Sequence, residues 1–440
     1  MDANVLKEGD GLARGQRNGI GCGAIALLLL AAILVGAWSF GAFDRLFYLM
    51  RLDSVQTELL GLTGQSERAD HAKTDDTDFA GGVSDTGAEG GNAASLEGDL
   101  AYGYVYSQLS DADREKYLIL LDAFQSREER AYPESDSEDI GRIRDCVLAD
   151  HPELPAISGV QIQSSTNPLS GLVTNVTVEG QYYFTEEESL DLQTQIGEGM
   201  AACLAGLPEG ADDFEKAKYF YEYLAENVEY DYAVLQGEAG ALGNTSGQTV
   251  ADVFVSGNAV CTGYVRAYQL LLQEVGIPSV FVTGTAKGGS HAWCKVLLDG
   301  NWYNIDPTWG DPQFFDSDGK AADYGWVNYD YLCVTDDDLA ATHEVDSTYP
   351  LPECQAIADN YFVHEGLYLE SADVNAAGSI VQAAVARGDD AARFRCADDD
   401  VYDSVVDALF NGQAIYRFIP GYSCSYVLND TMRTVEVLFV

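Results

Sequence analysis

The chain has 440 residues, of which 47% are hydrophobic and 11% aromatic, with a formal net charge of −47. That is too long for one ordinary core and too apolar for global disorder, so two or three domains are expected. The charge excludes nucleic acid and anionic membrane surfaces as partners, because phosphate would repel such a surface.

The first element is the uncharged run GIGCGAIALLLLAAILVGAWSF, Gly19–Phe40. It matches the about 20 residues that a helix needs to cross a bilayer and exceeds the apolar region of a cleaved signal peptide. An uncleaved anchor within residues 1–43 is therefore expected. Lys7, Arg14 and Arg17 before it, against Arg45 and Arg51 after it, lean towards a cytoplasmic N-terminus and an extracellular bulk. Residues 44–100 include TDDTDFAGGVSDTGAEGGNAASLEGD, which buries too little apolar surface to offset chain entropy and predicts a flexible acidic linker.

Regular patterning starts near Tyr102. Ser110 reads as the cap of a helix with Tyr117, Leu118, Leu121 and Phe124 on one face, and a second helix is expected around Glu138–Leu148. ISGVQIQSS and LVTNVTVEG then alternate like paired strands, completing a small α+β unit over 101–185. Further on, Asp212 followed by Glu215 predicts a capping box, before Phe214, Ala217, Tyr221, Leu224 and Val228 at helical spacing. After a Gly/Ser loop at 237–247, Val265, Tyr268, Leu272 and Val275 mark another helix, stopped by Gly276 and Pro278. SVFVTG is a short strand. A second small α+β unit is expected over 361–440, with helices at 372–387 and 401–409.

Asp299-Gly300 between apolar runs predicts a two-residue hairpin turn. That turn pairs Leu298 with Asn301, Leu297 with Trp302 and Lys295 with Asn304, so Ala292, Cys294, Val296 and Leu298 share the core face. His291, one of only five histidines, falls on the other face as a diagonal neighbour of Asp306. A carboxylate there fixes an imidazole's tautomer and stabilises its cation. Cys294 is then a buried structural thiol. Cys261 begins the helix at 262–275, where backbone N–H groups and the helix dipole favour a thiolate and can hold an oxyanion.

AVCTGY, GIPSVFVTG, SHAW and WYNIDPTW, in that order, resemble the transglutaminase-like superfamily of the papain-like cysteine fold. The resemblance spans roughly residues 186–312, and KAKYFYEYLAENVEYDYA is similar to the helix that precedes the family's cysteine. It implies an α+β core over 186–360, with a helix-start cysteine packed on an antiparallel sheet. Cys261 is then the nucleophile, His291 the general base and acid, and Asp306 its orienter. Cys294 stands where the family often has Asn. The flanking units resemble those of bacterial membrane-attached members, and no metal or other cofactor carries over.

The implied activity is cysteine-dependent acyl transfer or hydrolysis at protein or peptide amide bonds on the cell surface, with cell-wall-associated substrates in that setting. The alternative is a membrane-anchored binding module that keeps the fold without catalysis. Trp293, Trp302 and Trp309 are candidate cleft walls, and Gln248 and Asn258 candidate oxyanion donors. The acidic runs at 336–338 and 398–400 lack calcium-loop spacing and are expected to be solvated. Of the remaining cysteines, Cys396–Cys424 is the favoured disulfide.

Overall fold

The computed structural model describes residues 103–440, apart from 134–136, 155, 244, 246, 312–313, 316–320, 323–325 and 440. The expected anchor and linker lie outside the described residues, among which no helix is long and apolar enough to cross a membrane.

The first layer is helical. α1 (Tyr104–Gln108), α2 (Asp111–Ser126) and α3 (Ser137–Asp150) accompany the sheet β1-β3-β2, built from β1 (Arg130–Tyr132), β2 (Ile157–Thr166) and β3 (Val173–Tyr182). Ser110 caps α2 by accepting from the Asp113 amide at 3.2 Å. The helix buries Tyr117, Leu120, Leu121 and Phe124, whereas Leu118 is exposed, one position off the expected face. A helix the sequence pattern did not reveal follows, α4 (Glu186–Ala205), started by a capping box at Thr185 and Glu188. Its apolar stripe is thin, with only Met200 and Cys203 buried, which is why periodicity misses it.

The central unit places two helices against one sheet. α5 (Asp213–Asn227) starts at the expected Asp212–Glu215 capping box and buries Phe214, Ala217, Phe220, Tyr221 and Leu224. β4 (Glu229–Tyr230) pairs in parallel with β5 (Asn258–Ala259), which leads into α6 (Cys261–Glu274). The sheet runs β9-β6-β7-β8, from β6 (Ser279–Ala286), β7 (Gly289–Leu298), β8 (Asn301–Ile305) and β9 (His343–Val345). The β7–β8 register is Leu298↔Asn301, Leu297↔Trp302 and Lys295↔Asn304, as the turn dictates, with positive φ at both Asp299 and Gly300.

Both faces of the hairpin are covered. Ala292, Cys294, Val296 and Leu298 join the main core against α5 and α6, a core that also includes Tyr117, Phe124 and Ile143 of the first layer. Trp293 belongs to a second cluster with Val282, Tyr331, Val334, Leu339 and Met432. α6 is further tied to α3, because Arg266 and Gln269 donate to the Leu148 and Ala149 carbonyls, each at 3.1 Å.

The segment after β8 bears out the expectation of a solvated acidic run at 336–338 only in part, because Asp337 is exposed whereas Asp336 and Asp338 are half-buried and paired. Asp336 accepts from Lys295 at 2.7 Å, Asn304 at 2.8 Å and the Cys354 amide at 2.9 Å. Asp338 receives Arg395 and Arg433. Lys295 is itself buried, and a buried ammonium requires such a partner. Asp398 serves as an N-cap by accepting from the Val401 amide at 2.8 Å.

The C-terminal unit has its own hydrophobic cluster. Its sheet runs β10-β11-β13-β12, from β10 (Tyr368–Leu369), β11 (Ala391–Cys396), β12 (Cys424–Asn429) and β13 (Thr434–Phe439), with helices α7 (Val374–Arg387) and α8 (Asp399–Val406). This register overturns the favoured disulfide. Cys396 lies beside Arg433, before one end of β13, while Cys424 pairs with Phe439 at the other end, about 20 Å along the strand. A disulfide needs Cα atoms under about 7 Å apart, and every described cysteine is a free thiol.

Gly284 fixes the approach of the edge strand β9. A Cβ there would lie 2.0 Å from the Glu344 carbonyl oxygen and 2.8 Å from the Trp293 ring. Gly284→Ala is therefore expected to force β9 away from β6 and to cost about 1–3 kcal/mol, read as a lower denaturant midpoint with unchanged slope.

Candidate active site

Cys261 occupies the first position of α6, with Val260 as an N-cap that contributes no side-chain hydrogen bond. The loop before it is held by a fully buried carboxylate. Asp252 accepts from the Thr245 hydroxyl at 2.6 Å, the Thr249 hydroxyl at 2.7 Å and the Thr249 amide at 2.9 Å. The Gly247 carbonyl then accepts from the Val260 amide at 2.9 Å. A Cβ at Gly263 would stand 2.5 Å from that same carbonyl, so only glycine lets the loop reach the first turn of the helix. Gln248 rides on this loop and is partly exposed. Asn258 lies on β5, where its side-chain amide donates to the Ser256 carbonyl at 2.9 Å.

His291 enters from β7. Its Nε2 lies 2.7 Å from Asp306 Oδ2, and the His291 side chain is 7% exposed, against 0% for Asp306. Asp306 follows the last residue of β8, and its amide donates to the Tyr331 carbonyl at 3.1 Å. The other carboxylate oxygen, Oδ1, accepts from the amides of Thr308 at 3.0 Å and Trp309 at 3.3 Å. Burial alone would raise the Asp306 carboxyl, but the His291 charge and hydrogen bond, with a further bond from His343, hold it well below the usual range. Burial likewise works against the His291 cation, yet Asp306 and a hydrogen bond with the Cys261 thiol outweigh it and lift the imidazole to about 10.

An ionised carboxylate only accepts, so His291 Nε2 carries a proton and Nδ1 is left for the thiol. His291 and Asp306 are thus joined directly, and Cys261 is the thiol that acts on His291. A thiol and an imidazole placed this way are groups from which attack on a carbonyl and return of a proton to a leaving group can be built.

The three tryptophans separate. Trp309 is partly exposed, and its ring lies 5.7 Å from that of His291, with the Lys287 ammonium 4.6 Å from the indole centre. Trp293 is fully buried and donates to Asn304 Oδ1 at 3.3 Å, so it lies beneath the group rather than walling a cleft. Trp302 packs edge-on against Tyr104, 5.0 Å between ring centres, at the turn end of the hairpin and away from His291. Cys294 is fully buried beside the Ile305 carbonyl, as the register requires. Tyr264, in the same helical turn as Cys261, is structural, its hydroxyl within hydrogen-bond reach of the Val228 carbonyl at 2.8 Å and of Asp311 Oδ2 at 2.7 Å.

Sequence reasoning missed one residue. His343 Nε2 lies 3.2 Å from Asp306 Oδ2, although the two are 37 positions apart in the chain. No spacing pattern signals it, because the long connection from β8 to β9 delivers it. His291, Asp306 and His343 together offer three metal-ligating atoms within 4.8 Å of one another. Direct hydrogen bonds already join those atoms.

Residues 205–307 match the family model of the transglutaminase-like superfamily. The kyphoscoliosis peptidases of mouse and human are 26% and 25% identical over 116 residues. That stretch is 24% of this chain and only 17% of either relative. A solved structure described as a TGase is 19% identical, covers 40% of this chain and 49% of its own, and has a TM-score of 0.25.

Proposed function

With a transglutaminase-like domain over residues 205–307 as the premise, we propose that the chain is a cysteine-dependent acyl-transfer enzyme or peptidase acting on amide bonds of protein or peptide substrates. Its acting part would lie outside the membrane that Gly19–Phe40 is expected to span. The observation that carries this reading is the connection of Cys261, at a helix start without a side-chain cap, through His291 to an ionised Asp306.

The chemistry follows from the protons. The Cys261 thiolate adds to the substrate carbonyl carbon, and the oxyanion is held by amide N–H groups of the first turn of α6. His291 gives its Nδ1 proton to the departing amine as the C–N bond breaks, leaving a thioester on Cys261. Water or a second amine then loses a proton to His291 as it attacks the thioester, and the thiolate leaves. Asp306 accepts from Nε2 throughout and stays ionised, keeping the imidazole in one tautomer.

The test is a screen of the full chain and of its Cys261→Ala variant. Incorporation of a labelled amine into a glutamine-rich acceptor is the result expected for transfer, and peptide cleavage the result expected for hydrolysis. On intact cells, a membrane-impermeant thiol-directed probe should label Cys261 in the unmodified chain. Absence of turnover, with equal probe labelling of both proteins, would leave the site as a binding module.

A further inference from the structure

Asp306 has more donors than a carboxylate needs to orient one imidazole. Oδ1 is engaged by the Thr308 and Trp309 amides, while Oδ2 receives both His291 at 2.7 Å and His343 at 3.2 Å. Because the carboxylate only accepts, His343 also donates from Nε2. Its Nδ1 lies 2.8 Å from the Thr342 hydroxyl, so both ring nitrogens are held. The His343 side chain is 1% exposed. Its ring is packed 4.5 Å from Trp309, 5.0 Å from Trp293 and 5.3 Å from His291, centre to centre.

We propose that His343 is a positioning residue for the Cys261–His291–Asp306 group: by donating to Oδ2 it fixes the rotation of the carboxylate and shares the oxygen on which His291 relies. The catalytic consequence rests on the acyl-transfer reading, whereas the effect on the Cys261–His291 pair does not.

A carboxylate oxygen that serves two donors holds each less firmly than one that serves a single donor. His291 must give up its Nδ1 proton to a leaving amine, and an imidazolium held too firmly is a poor general acid. Its pKa of about 10 already lies above neutrality, so any further rise slows the step. Other titratable groups around the pair are Cys261 from α6, Tyr221 from α5, Cys294 from β7 and Tyr331 from the turn after β8. Lys287, from the β6–β7 turn, lies over Trp309. The competing account is that His343 only fills space among aromatic rings.

Two amide variants separate these accounts. His343→Gln can present a donor near the Nε2 position, whereas His343→Asn is too short. The pH dependence of iodoacetamide alkylation at Cys261 is read by mass spectrometry in the full chain, without added substrate. His343→Asn should move the upper inflection, set by His291, upward by roughly half a pH unit, the scale of one competing hydrogen bond. On any substrate the screen finds, it should also lower kcat by up to roughly threefold with KM almost unchanged. His343→Gln should restore both.

Identical profiles in all three proteins, or equal shifts in both variants, would overturn the proposal. So would loss of cooperative melting in both variants with the inflection unmoved, which is the signature of a space-filling role. A stoichiometric transition metal in the purified chain, lost in both variants, would make the cluster a metal site instead. If the acyl-transfer reading fails, turnover is absent while the alkylation profiles still decide the role of His343.

Discussion

Replacing Cys261 by alanine is expected to lower kcat/KM on the acyl substrate found in the screen by on the order of 10⁵, the scale seen when a nucleophile that acts in a unit with its base is removed. Stability should change little. Cys261 is only partly buried, and the small alanine side chain suits a first helical turn. The thermal midpoint should stay within a few degrees of the unmodified chain. His291→Ala should cost turnover on a similar scale, since the two act on the same proton. The double variant should then be scarcely worse than either single one, and steady-state kinetics on the three proteins checks this. Additive losses would mean that Cys261 and His291 do not share a step.

Asp306→Asn should combine a kinetic and a thermodynamic loss. The amide can reverse the hydrogen bond to His291 and present the wrong tautomer to the thiol, so turnover should fall by roughly 10³–10⁴-fold. The side chain is fully buried and faces two imidazoles, so breaking the pair should also cost about 3–5 kcal/mol.

The pH dependence has a definite sign. His291 is raised from 6.5 to about 10 in the folded protein, so its contribution is complete below 6.5 and lost as pH climbs through about 10. Asp306 is depressed from 3.8, so its contribution is present above 3.8 and lost as pH falls below it. Both describe one contact and count once. The gap in thermal midpoint between the unmodified chain and Asp306→Asn should therefore be widest near pH 5–6, and should narrow towards pH 10. A gap that is constant from pH 5 to pH 10 would show that the charge on the pair contributes nothing to folding.

The local chemistry of the site was legible in the sequence because short-range rules determine it. Asp299-Gly300 admits a primed turn, and that turn sets the register from Leu298–Asn301 to Lys295–Asn304. With the register set, alternation puts His291 and Asp306 on one face and Cys294 on the other. Caps at Ser110 and Asp212 worked for the same reason, since each satisfies helix amides within three residues. The placement of Cys261 at a helix start is local as well, and the motif order carried the resemblance that the family match over 205–307 supports.

What the tertiary structure decided lies beyond that range. Pattern along one strand cannot say what covers its second face. The segment from Asp330 to Pro352 covers it, which turns two residues of an acidic run into ion-pair partners for Lys295, Arg395 and Arg433. Trp293 and Trp302 alternate on the same face, yet one lies under His291 and the other against Tyr104, because different elements pack at the two ends of the hairpin. Cys396 and Cys424 share a sheet but stand at opposite ends of β13, a matter of register between distant strands. His343 is the sharpest case. A histidine in a stretch without periodicity reaches Asp306 only because β9 closes the sheet edge, and only packing allows β9 to come so near at Gly284.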